Sequence, residues 1–297
     1  MVEELGDILR SGFETWKKNL TICLPFVFSL LLTLIAGALI IGGALMMVLG
    51  PVLPSLTPAL TSTPGEISPE FVQQLQPLLL QNIGILVAAF LITGISVLLI
   101  TTFFSAGAIG MATEAMKTGR TSLSDMTDYG SRKFVSLLGA NLIVALIALA
   151  GVIFLIPGLF SLMPEITSKT PPDVTNLAAF TLLFLGFVIM LFYLLIIGII
   201  FAISPYAVVI SDLGAVDGVK RGFQFFMAHK VEVFLLWLVV LVIAVVAGII
   251  LGNIPYIGQW LSMAASVLIL QPLAVIWWSR LYLSGTEGDV DVEPTEF

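Results

Sequence analysis

A single histidine, His229, and a single cysteine, Cys23, limit the chemistry open to this 297-residue chain. With no second His or Cys, neither a thiolate or imidazole zinc site nor a Ser-His-Asp relay can assemble, and no intrachain disulfide can form. Cys23 heads an apolar stretch and reads as a packing residue. His229 stands beside Lys230 at the start of another and reads as an interfacial or helix-end residue. Oxygen donors are what is left. Glu114, Asp125 and Asp128 lie close together in sequence and could gather around Mg²⁺, although solvated loop carboxylates are the commoner outcome. The residues are therefore read as non-enzymatic, with no cofactor.

Two other groups have types and spacing suited to binding. Arg10, Lys17 and Lys18, then Arg132 and Lys133, then Lys220, Arg221 and Lys230 sit on three short polar segments. They are candidates for contact with anionic lipid headgroups, each worth about 1 kcal/mol close to a charged surface. Ser105, Asn141, Ser204 and Gln271 are neutral polar residues inside apolar runs. Interhelical hydrogen bonding accounts for them, and the lining of a weakly polar cavity is the alternative. Almost no ionisable group lies deep in such a run, so the usual pointer to ion-coupled transport is lacking.

Composition decides which elements must position these residues. Apolar residues make up 59% of the chain and charged residues 10%, against about 45–50% and about 25% in soluble domains. Charge-free runs cover 19–65, 71–113, 134–164, 174–211 and 233–279, and a spanning helix needs about 20 apolar residues. The last run must cross twice, breaking between Gly252 and Gly258, where Asn253 and Pro255 interrupt the pattern. Six spans follow, near 20–49, 83–112, 135–162, 177–209, 232–252 and 259–283. Of the 12 Lys and Arg, only Lys169 falls on the outer side, so the positive-inside rule gives a multi-pass cell-membrane protein with both termini cytoplasmic. The stretch before the first span lacks the form of a cleaved signal peptide. In the outer loop, Ser68 to Gln81 reads as a short surface helix. Trp16, Trp277, Trp278 and Tyr282 are expected to anchor the inner interface, and Tyr256 and Trp260 the outer one.

One pattern recurs: Asp, four residues, Gly, three residues, aromatic. Its copies are Asp7, Gly12, Trp16; Asp125, Gly130, Phe134; and Asp217, Gly222, Phe226, before the first, third and fifth spans. In the first copy Leu5, Ile8, Leu9, Gly12, Phe13 and Trp16 follow a 3.6-residue period, while Glu4, Asp7, Arg10, Glu14 and Lys17 fill the other face. Each copy is expected to form a helix lying flat in the interface, the middle one capped by Ser122 or Ser124. The glycines either permit close packing or merely bend the chain. The even spans share a second pattern, beginning at Ser105, at Ser204-Pro205 and at Gln271-Pro272. The expected fold is all-α integral membrane: six transmembrane helices as three tandem hairpins, each preceded by an amphipathic interfacial helix. The hairpin units cover about 1–112, 113–209 and 210–284 of a single domain, 1–284, and share one direction about an axis along the membrane normal. An acidic cytoplasmic tail, 285–297, carries Glu287, Asp289, Asp291, Glu293 and Glu296 and is expected to be disordered.

The segment from Ser204 to Phe223, with Pro272 and Leu281-Tyr282 downstream, resembles the membrane domain found in some glycerophosphodiester phosphodiesterases and in related uncharacterised multi-pass membrane proteins of bacteria and archaea. The resemblance covers about 190–284. It departs at Gly222, where the group usually has Ser, and at Leu283-Ser284, where it has an acidic and basic pair. It implies a six-span layout and no settled activity. Nothing in the chain corresponds to the soluble phosphodiesterase barrel. The expected role is a lipid- or partner-binding membrane module. Its partners would be membrane lipids, another membrane protein or itself, and no nucleic acid. The alternative is a transporter or channel for a small neutral or amphipathic solute.

Overall fold

The computed structural model describes residues 3–50, 77–167 and 177–287, and no strand occurs among them. Helix α1, Leu5–Lys18, has Asp7 in its first turn and Lys17 and Lys18 in its last, matching the helix dipole. It ends at Asn19, which leaves helical geometry and donates from Nδ2 to the carbonyls of Thr15, at 3.1 Å, and Gly119, at 3.3 Å. One 3₁₀ turn, Leu20–Cys23, leads into α2, Leu24–Leu49, which carries Pro25 in its first turn. A helical turn at 77–81 precedes α3, Ile83–Thr118. Gly119 closes α3 in the left-handed conformation, with φ of 79°. A capping box between Ser122 and Asp125 opens α4, Leu123–Leu149. A 3₁₀ stretch, Ala150–Leu155, continues α4 into α5, Ile156–Thr167.

The fourth span consists of α6, Leu177–Ile200, and α7, Ser204–Ile210, joined by an irregular turn. Helix α8, Ala215–Ala228, follows, and His229 separates it from α9, Lys230–Gly252. The expected break before the sixth span lies at Asn253 to Ile257, where Tyr256 takes a φ of 66° and is fully exposed. The sixth span is α10, Gly258–Ala265, a π-turn, Ser266–Leu270, and α11, Gln271–Glu287. Among the described residues six helices are long and apolar enough to cross a membrane, the architecture of a multi-pass membrane protein. The rest of the expected outer-loop helix and Lys169 lie outside the described residues. Helix α11 runs through Glu287, past the expected start of the tail at 285, because Gly285 is buried beneath the Phe225 ring. The remainder of that tail lies outside the described residues.

Side-chain burial is concentrated at the end of the bundle that carries the polar helices. There one core gathers Ile8 of α1, Ile109 of α3, Leu137 of α4, Val208 of α7, Phe225 of α8, Leu236 of α9 and Leu281 of α11. Towards the other end large apolar side chains such as Leu39, Met46, Phe90, Leu146 and Phe184 are exposed, as lipid-facing residues would be. The sixth span is the most enclosed, with 28% of its apolar window buried against 6–11% in the others. The second, fourth and sixth spans meet pairwise, α3 on α7, α3 on α11 and α7 on α11. Around them α1 packs on α11, the start of α4 on α3, and α8 on α7.

The middle polar segment departs from expectation. It is not a separate helix but the first turns of α4, continuous with the third span. In the first and third copies the residue twelve positions after the Asp is Asn19 or His229, with φ,ψ of −131°,59° and −128°,46°. The middle copy has Leu137 there, fully buried and helical. An apolar side chain that can be buried gives the helix no reason to break.

The inner aromatic residues also depart from expectation. Trp277, Trp278 and Tyr282 are core residues, not interfacial anchors, with Tyr282 at 0% exposure. The Tyr282 and Ser211 hydroxyls share a 2.6 Å hydrogen bond, and the Trp277 indole N–H donates to the Leu9 carbonyl at 3.2 Å. The polar tips of Trp277 and Tyr282 are satisfied inside the protein, so they need no headgroup region.

Candidate functional site

At the polar end the cations divide into two groups. Arg10, Lys17, Lys18, Arg132, Lys220 and Lys230 are exposed, and Arg221 is half-buried. Several are lightly held: Arg10 lies 3.8 Å from Glu14, Lys17 stands over the Phe13 ring at 5.2 Å, and Arg132 over Tyr129 at 5.0 Å. Exposed contacts of this kind contribute little to stability and leave the charge free to act on other groups.

Lys133 differs. Its side chain is only 3% exposed and is ion-paired with Asp212, in the turn between α7 and α8. It is therefore withdrawn from the headgroup candidates, because its ammonium is already committed inside the bundle. Arg280 is likewise committed, gripping Glu3 with two hydrogen bonds, Nε–Oε2 at 2.6 Å and Nη2–Oε1 at 2.7 Å. Sequence reasoning missed both acidic partners, which lie far along the chain from their cations.

The carboxylates proposed as Mg²⁺ ligands are occupied separately. Glu114 accepts from the Tyr129 hydroxyl at 2.8 Å, Asp125 accepts the Ser122 backbone N–H at 2.8 Å, and Asp128 is exposed. Among the described residues no three His, Cys, Asp or Glu gather as a metal site.

The four neutral polar residues do not come together either. Asn141 donates to the Thr102 hydroxyl at 3.1 Å, joining the second and third spans. Ser204 is buried against Gly222, Ser105 is half-buried, and Gln271 is exposed with one long contact, 3.4 Å to the Ser266 hydroxyl. Replacing Asn141 by Ala is expected to cost about 0.6 kcal/mol, and no more than about 1.7 kcal/mol, as for other interhelical bonds in membranes. A thermal-unfolding comparison with Thr102→Val and the double variant would check this, since the two singles should not add.

Cavities lie elsewhere. One of about 370 Å³ opens between the fifth and sixth spans, beside Ala244, Gly248, Ser262 and Ser266. The second, of about 500 Å³, lies between α6 and α9. Leu195, Ile196, Ile199 and Ile200 form one wall, Val231 and Phe234 the other, and Phe226 of α8 and Lys230 close it at the polar end. The lining is almost wholly apolar, with Lys230 the one charged residue beside it. Phe226 belongs to the repeated pattern, but only the fold shows that it borders a groove.

A family model described as a domain of unknown function (DUF7847) matches residues 30–280. The chain belongs to this family. An uncharacterized protein of Archaeoglobus fulgidus is 25% identical over 296 residues, covering 95% of this chain and 96% of that protein. No solved structure matches. Neither match is to a glycerophosphodiester phosphodiesterase, so the resemblance narrows to an uncharacterised family. The matched region takes in Lys133, Asp212, Lys230 and the groove, but not α1.

Proposed function

We propose that this DUF7847 protein is a non-enzymatic membrane module that holds anionic lipid at the cytoplasmic face. The observation that carries this reading is the groove between α6 and α9, apolar along its length and ending at the exposed Lys230. An acyl chain would lie along Leu195, Ile199 and Phe234, and its headgroup phosphate would meet Lys230. Glu232, two residues further on, opposes an anion, and Lys220 and Arg221 on α8 outweigh it. In this reading the chain is three tandem hairpins with one direction, set by the positive-inside rule, and both termini are cytoplasmic. Two of the hairpins begin with an amphipathic helix that presents exposed cations to the membrane surface. The solute-path alternative receives less support, because each of the two cavities is walled by neighbouring spans at the side of the bundle.

Native mass spectrometry from nanodiscs containing equal phosphatidylglycerol and phosphatidylcholine tests the proposal. Phosphatidylglycerol should be retained preferentially. Lys230→Gln should weaken that retention about fivefold, the equivalent of about 1 kcal/mol for one surface cation. Lys230→Arg should preserve it, and raising ionic strength should weaken it in wild type. Equal retention of the two lipids, or a Gln variant indistinguishable from wild type, would refute the lipid reading.

A further inference from the structure

Gln271 is an exposed primary amide in the interior of the sixth span. It lies eleven residues from Trp260 and nine from Arg280, or about 17 Å and about 14 Å along a helix at 1.5 Å per residue. Both distances are beyond the reach of its side chain. In hydrocarbon an amide without full partners is costly, and the 3.4 Å contact to Ser266 supplies little.

The other two even spans show what such a position normally has. Ser204, which opens the corresponding motif in the fourth span, lies under Gly222 of α8. In the second span Phe103, two residues before Ser105, lies under Gly130 of α4. In the sixth span Gly12 of α1 rests instead on Ile276 and Trp277, five and six residues beyond Gln271. Gln271 is thus left uncovered, whereas Ser204 is seated beneath a helix and Ser105 is half-buried. The adjoining face is irregular as well. Ser266–Leu270 forms a π-turn, and the Cys23 thiol donates to the Leu268 carbonyl at 3.0 Å. Single π-turns within helices are often found at functional positions. Ala264, Leu268 and Ile269 continue the exposed strip toward the opposite end.

We infer that this face seats a second copy of the chain, related by a two-fold axis along the membrane normal, with the two Gln271 amides hydrogen-bonded to each other. An amide carries both donor and acceptor, so two-fold pairing satisfies each Gln271 with an identical residue at identical depth. An acyl chain fills space but offers the amide nothing. No further helix among the described residues remains to cover the site. This inference is independent of the lipid reading and survives its failure.

Single-molecule photobleaching of the full chain in liposomes, over a range of protein-to-lipid ratios, measures the association directly. Wild type should dimerise, and Gln271→Leu should raise the dissociation constant at least tenfold while keeping the helix content and melting temperature of wild type. Disulfide trapping gives a second measure. In a Cys23→Ser background, Gln271→Cys should form an interchain disulfide under mild oxidation, whereas Leu39→Cys, on the exposed face of α2, should not. A wild-type protein that stays monomeric at every density overturns the inference. So does a Leu variant that dimerises as wild type does, or a Gln271→Cys thiol that is trapped only by a different protein.

Discussion

Gly222→Leu should be among the most damaging single substitutions in the bundle, costing about 3 kcal/mol or more. A Cβ at this position would lie 2.7 Å from the Ser204 Cα and 2.8 Å from its backbone N. Those atoms belong to the α6–α7 junction at the centre of the fold and cannot rotate away as a side chain does. Overpacking a filled core typically costs about 1–3 kcal/mol and occasionally more. Gly222→Ala tests the lower end of that range, because it adds the offending atom alone. Gly94→Ala is the control: a Cβ there meets nothing within 4 Å, so the usual preference of a helix for Ala over Gly should leave it neutral or slightly stabilised. Cys23 is buried and is the chain's one thiol, so its reaction with a thiol-activated dye on heating reports the loss of packing. A Gly222→Ala protein that melts with wild type would show that the spans can slide apart without cost.

Asp212→Asn should be a second large effect, at about 1–3 kcal/mol. It leaves the Lys133 ammonium inside the bundle with its counter-charge removed. Breaking a fully buried pair from one side costs about 3–5 kcal/mol. Asp212 itself is 75% exposed, so water reaches one side of the pair and the expected loss is smaller. Asn is the right probe because Asp212 has a φ of 55°, a left-handed conformation that Asn tolerates and Ala does not. Lys133→Met removes the charge and keeps an unbranched apolar stem, so it should fall within about 1 kcal/mol of wild type. The double variant should then match Lys133→Met, which shows the loss in Asp212→Asn to be the stranded charge. Equal melting of Asp212→Asn and wild type would mean that the ammonium is hydrated without its partner.

These two sites differ in how far they were legible. Gly222 was marked in the sequence by its recurrence with Gly12 and Gly130, though close packing and a simple bend remained open readings. The structure chooses close packing at all three, since a Cβ would collide with Trp277, Phe103 or Ser204. In the sequence Lys133 reads as a surface cation because it follows Arg132 in a polar stretch. Nothing local distinguishes the two, yet one stands over Tyr129 at the surface and its neighbour is buried. On a helix, successive residues point about 100° apart, and only the position of α8 decides which of them is covered.

The sequence by itself determined the six spans, the Gly252–Gly258 break and the confinement of the cations among the described residues to one end of the bundle. Each follows from local quantities: the length of an apolar run, the backbone limits of Pro and Gly, and the cost of placing charge in hydrocarbon. Tertiary structure alone decided that Trp277, Trp278 and Tyr282 fill a core and that Asp212 and Glu3 are the partners of Lys133 and Arg280. It also decided that a groove ends at Lys230 and that Gln271 is left uncovered. Those outcomes depend on which helix lies against which, at what height. In a chain whose apolar surface is satisfied equally by lipid or by protein, composition cannot tell the two environments apart.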